Sequence, residues 1–275
     1  MLNNPPPIDD SSITNPPVDM EMTHSGFLVF QFWAIAPAIV SIALALYWWR
    51  KNGTALPLLV LLGGAACFVW EPVVDVLGGC WWPTKGGGNL FFMFDNRVIM
   101  WTFPLTYLWF MGGQALLAWK AFERRDSRLV VKMWLVCIVS DLLFEGTTLA
   151  LGGYRYYGHQ PMNTPWGFPL WWGPMNASIP ITAGMLIYVT RRHLVGRKML
   201  LVPFLIPIAD GLGNASSGFP AWIALHSDWP QPVADICGLV SAGLAALWIY
   251  LVILLSRINE PEPHPAPAER AAAAA

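Results

Sequence analysis

The sequence predicts an all-α, polytopic membrane protein: a bundle of seven transmembrane helices with the N-terminus outside and the C-terminus inside. Three observations predict it. Of 275 residues, 55% are hydrophobic and only 12% charged, about half the charged share of a typical soluble domain. Seven apolar stretches are long enough to cross roughly 30 Å of hydrocarbon. Lys and Arg in the connecting loops then concentrate on one side, as the positive-inside rule requires. The mean hydropathy of +0.47 argues against a disordered chain or an ordinary soluble enzyme. A net charge of −1 gives no electrostatic reason to expect nucleic acid as a partner.

Residues 1–25 open the chain as a polar, acidic, proline-rich tail without Lys or Arg, so they lack the basic start of a signal peptide. The membrane domain is expected over 26–257, with spans near 27–49, 54–78, 98–119, 129–151, 167–190, 199–224 and 231–256. Runs of this length without period-two alternation suit helices, not barrel strands. Residues 258–275 form a second Pro/Ala-rich tail. With the N-terminus outside, the inner side receives thirteen basic residues, from Arg50 and Lys51 through Arg257 and Arg270. The outer side receives Lys85, Arg97 and Arg155 alone. A missed or extra span would scramble that asymmetry. The inner loops are short and basic. Two outer loops, Gly79–Gly88 and Tyr154–His159, are long, aromatic and glycine-rich, which suits either an interfacial aromatic belt or a lid over a site.

Six carboxylates fall inside the spans: Glu71, Asp75, Asp141, Glu145, Asp210 and Asp235, with no Lys or Arg comparably deep. Each facing lipid at mid-membrane costs about 2.5–3.5 kcal/mol on insertion scales, so six approach ~20 kcal/mol. That exceeds the stability of most folds, and the acids must face the bundle interior. At about 1.5 Å per residue, Glu71 lies roughly 25 Å from the inner start of the second span. Asp141 and Glu145 lie about 18 and 24 Å along the fourth, and Asp210 about 17 Å along the sixth. Most therefore occupy the outer half. Glu71/Asp75 and Asp141/Glu145 are each spaced i, i+4, which puts both members on one helix face. Two readings compete: interhelical hydrogen-bonding glue, or a proton-handling site. A carboxylic acid kept neutral at pH 7 is a proton donor.

Aromatic and amide residues share this geography. Trp70, Trp101, Trp109, Trp171, Trp172 and Trp222, with Asn176 and Asn214, are candidate substrate-binding groups beside Asp75 and Asp210. Tryptophan faces hold apolar chains and stabilise cations at about 0.5–2 kcal/mol each; packing and belt roles are the bland alternative. The five histidines are scattered through loops and tails and supply neither a di-iron histidine box nor paired haem ligands, and no pair among the four cysteines has zinc-ligand spacing, so none of these metal cofactors is expected. The seventh span contains no Lys, which excludes a retinal Schiff base. Glu71–Gly79 and Asp141–Gly153 each place an acid pair ahead of Leu-Gly-Gly, a weak internal echo.

In Val69-Trp70-Glu71-Pro72 and Val233-Ala234-Asp235-Ile236, together with seven spans and abundant tryptophan, the chain resembles the small integral-membrane terpene cyclases of meroterpenoid and indole-terpenoid biosynthesis. The resemblance covers about residues 27–256 at the level of topology. It implies an essential acid at Glu71 and a second at Asp235, and a metal-independent, non-redox reaction. A carboxylic acid, Glu71 by preference, protonates an alkene or epoxide of a prenylated, lipophilic substrate, and carbocation ring closure follows. Asp235, Asp141 or Glu145 orients the donor or takes the last proton. The Asp141/Glu145 pair and the long outer loops have no place in that family pattern. The competing classes are a proton-coupled transporter, with Pro-broken helices around a proton relay, and a non-catalytic membrane subunit. All three readings put the chain in a membrane: the cell membrane, or the endoplasmic reticulum in a eukaryote.

Overall fold

A computed structural model describes residues 15–88, 90–92, 94 and 97–260. The expected tails therefore lie outside the described residues over 1–14 and 261–275. The chain is predominantly helical. Helix α1 spans His24–Asn52, α2 Leu56–Ala66, α3 Glu71–Gly78, α4 Phe103–Tyr107, α5 Gln114–Glu123, α6 Ser127–Ala150, α7 Trp172–Thr190, α8 Val202–Leu225 and α9 Gln231–Ser256. A 3₁₀ turn at Cys67–Trp70 joins α2 to α3, and a π-helical turn at Leu108–Gly113 joins α4 to α5. Among the described residues these elements form seven rods. Four of them (His24–Asn52, Leu56–Gly78, Gly196–Leu225 and Gln231–Ser256) are long and apolar enough to cross a membrane.

Local chemistry accounts for the ends and breaks. Thr23 caps α1, its hydroxyl accepting from Gly26 N at 2.9 Å, and Gly53 closes the helix in the left-handed conformation. Asp126 caps α6 by accepting from the Arg128 and Leu129 amides. Pro72 has no N–H to donate back into the preceding turn, so the second rod changes from α to 3₁₀ winding just before Glu71. In the third rod, the π turn falls where Gly112 meets Gly64 of α2: a Cβ on Gly64 would lie 2.4 Å from Gly112 N, so the two backbones touch.

Three expectations need correction. Helix α1 begins at His24, and the residue before its cap, Met22, is buried and bonded through its amide to Lys85 O at 3.0 Å. The packed part of the chain thus starts earlier than residue 26. The third rod begins at Phe103, not 98: Val98–Met100 is strand β3, paired antiparallel with β2, Leu90–Phe92. The fifth begins at Trp172, five residues later than expected.

The two long aromatic loops also fold into a ribbon. Strand β1, Cys80–Trp81, pairs antiparallel with β4, Arg155–Tyr156, in the register Cys80↔Tyr156 and Trp81↔Arg155. Gly79 makes this possible. It ends α3 at φ +62°, and a Cβ there would meet Tyr157 O at 2.8 Å. That close approach lets Gly79 O accept from Tyr157 N at 2.7 Å.

Candidate functional site

Beneath the β1–β4 ribbon lies a cavity of about 70 Å³. Alternation along the strands puts Cys80 and Trp82 on the cavity side of one chain segment, and Tyr154 and Tyr156 on that side of the other. The two long aromatic loops therefore roof the cavity. The Trp82 ring stacks on Tyr154 with centroids 4.2 Å apart, and meets Phe103 edge-on at 4.8 Å and Phe30 at 5.0 Å. Arg97, also buried, staples the lid from behind. Its guanidinium donates to Cys80 O at 2.9 Å and to the Tyr157 hydroxyl at 2.8 Å, and it lies over the Trp81 ring.

Three carboxyl groups from two rods line this cavity: Glu71, Asp75 and Glu145. Glu71 accepts on both oxygens, from Trp82 Nε1 at 2.9 Å and from the Tyr107 hydroxyl. Glu145 accepts from the Tyr154 and Tyr156 hydroxyls, each at 2.6 Å, and from Asn176 Nδ2 at 3.1 Å. Burial first, and then the Glu145 charge, push the Tyr154 and Tyr156 phenols well above their usual range, which keeps them as donors. Asp75 differs: it is buried, and its Oδ2 has no hydrogen-bond partner among the described residues. Two carboxyls are thus held as acceptors, and the third, beside the Cys80 thiol, keeps one buried oxygen without a hydrogen-bond partner among the described residues.

The other residues singled out from sequence divide into two groups. Trp172 and Asn176 also line the cavity. Asp141 sits behind Asn176, whose Nδ2 is 3.4 Å from both its oxygens. Trp171 stacks on Trp172 at 4.4 Å, and Trp109 packs edge-on against the wall residues Phe110 and Phe144. The remainder lie away from the cavity. Trp70 docks the second rod onto α8 by donating to Pro207 O at 3.0 Å. Asp210 is buried on α8 with Asn214, which donates to it at 2.7 Å. Trp222 packs on its own helix, where its ring crowds Gly218. Asp235 accepts from Met162 N at 2.7 Å and Gln231 Nε2 at 2.8 Å, anchoring the loop ahead of α7. Trp101 is exposed.

Sequence reasoning passed over Tyr156, Cys80 and Arg97 as site residues. Their signal was the aromatic loop pair itself, but only strand register shows which loop residues face inward. Among the described residues no group of His, Cys, Asp and Glu is arranged to hold a metal ion. Compared with family models, with curated proteins and with solved structures, the chain matches none.

Proposed function

We propose that this protein is a membrane-embedded acid–base catalyst that cyclises a prenylated, lipophilic substrate, built on seven spans with the N-terminus outside. One observation carries the reading: Glu71, Asp75 and Glu145 converge from two rods on a single aromatic-walled cavity. Asp75, with its unpartnered oxygen, is the proton donor. It protonates an alkene or epoxide, the π electrons of the next double bond close a ring, and the final cation returns a proton to a carboxylate. The net change is isomerisation, and no reductant or oxidant is consumed. Glu71 and Glu145, each held as an acceptor by its donors, face the cation together with the rings of Trp82 and Tyr154 and stabilise it. This reading moves the acid from Glu71 to Asp75, four residues on.

At about 70 Å³ the cavity is smaller than the ~150 Å³ void that admits benzene and far below the roughly 300–1,000 Å³ of common ligand pockets. A prenyl chain therefore enters only when the β1–β4 ribbon lifts. The gathering of acids beneath one end of the bundle supports local chemistry over a relay across the membrane. The membrane orientation rests on the thirteen-to-three distribution of basic residues.

The test incubates the purified full chain in nanodiscs with farnesyl- and geranylgeranyl-bearing acceptors and their epoxides. Isomers of unchanged mass are expected from the wild type and not from Asp75→Asn. Turnover that survives Asp75→Asn, Glu71→Gln and Glu145→Gln alike overturns the proposal. So does pH-driven uptake into proteoliposomes, lost in Asp141→Asn, without any isomerisation.

A further inference from the structure

At the opposite end of the bundle the helices leave a different opening. The C-terminal turns of α1 and α5 and the first turns of α6 surround a cavity of about 490 Å³ whose charged lining is Lys51, Lys120, Arg124 and Glu123. Lys120 is paired with Glu123 at 2.6 Å and lies over the Trp119 and Trp48 rings, so the mouth keeps an excess of positive charge. A second cavity of about 470 Å³ shares Leu117 and Met133 with the first and continues along the same three helices. On α1 the combined trough runs from Lys51 to Pro37 through positions three or four residues apart, one face of the helix. Fourteen residues at 1.5 Å each give a length of about 21 Å. One leaflet's hydrocarbon is about 15 Å deep. The far part of the trough is almost wholly apolar, with Val40 and Val136 exposed along it.

We propose that this trough binds one anionic phospholipid from the leaflet on the basic side of the bundle. Its phosphate sits among Lys51, Lys120 and Arg124, and one acyl chain lies along Leu44, Leu117, Met133 and Val136. The charge pattern selects the headgroup and the trough length selects a chain; a soluble phosphate satisfies only the first. The inference is independent of the catalytic reading, because none of these residues lines the acid-bearing cavity.

The test is native mass spectrometry of the full chain released from micelles doped with equal phosphatidylglycerol and phosphatidylcholine of identical chains. Phosphatidylglycerol is expected to be retained preferentially, with the preference falling about fivefold for each of Lys51→Gln and Arg124→Gln. Val136→Trp, which fills the trough without touching charge, should remove retention of both lipids. Glycerol phosphate should not be retained. Equal retention of the two lipids, or retention unchanged by Val136→Trp, overturns the proposal. So does a loss of preference in Arg192→Gln and Arg197→Gln, basic residues outside the trough, as large as in the trough variants. Unaltered melting temperatures in the variants separate loss of binding from loss of fold.

Discussion

Glu145 on α6 and Asp210 on α8 are both buried carboxyl groups on 24-residue helices, yet their surroundings differ in kind. Asp210 takes its amide donor from its own helix: Asn214, one turn on, donates to both its backbone carbonyl and its carboxyl, and the Cys67 thiol of the second rod lies beside it. Glu145 is served by three side chains from two other segments, and a cavity opens beside it. Burial of an acid is therefore no mark of chemistry by itself. Convergence of partners from other segments around a void is the better mark, because nothing in helix stability alone demands it.

Exchanging the acids gives the largest expected contrast. Asp75→Asn should lower turnover by about 10²–10⁴, while Asp210→Asn should leave it within a few-fold; equal losses would dissolve the distinction between the two regions. Product formation under single-turnover conditions reads both. Next in size is the lid. Tyr154→Phe combined with Tyr156→Phe takes two donors from a buried carboxyl, at about 1–3 kcal/mol for each unmet group, and thermal unfolding in detergent should show it. Gly79→Ala forces a Cβ into the left-handed turn against Tyr157 O and should cost about 1–3 kcal/mol, seen as earlier unfolding with the ribbon lost first by hydrogen exchange. The smallest effect is on pH. The two phenols are held high in the folded chain and ionise near 10 when unfolded. Their contribution is whole below about pH 10 and is lost as pH rises beyond it. The melting temperature should fall more steeply on the alkaline side in the wild type than in the doubly substituted Phe variant.

Much of this was legible in the sequence, and the limits were physical. The apolar stretches and the i, i+4 acid pairs marked the rods and the faces that look inward. They did not separate Asp141 from Glu145, because that difference is made by Tyr154 and Tyr156, which a ribbon brings in against a loop more than seventy residues away. Tryptophans were the least informative residues. Trp101 falls in the turn before Phe103 and is exposed, whereas Trp82, in a loop, forms a cavity wall. Arg97 read as one more outer charge, and its burial under the lid depends on the Cys80 carbonyl and the Tyr157 hydroxyl being there to receive it.

The thiol of Cys80 turns the ribbon into a timepiece. It is free, buried, and faces the inside of the covered space, with Asp75 next to it. An alkylating reagent meets it only during the moments when the two strands part. In a chain with the half-buried Cys237 changed to Ser, the rate of labelling at Cys80 counts those moments directly, and a bound guest that props the strands shut or ajar would slow or hasten the count.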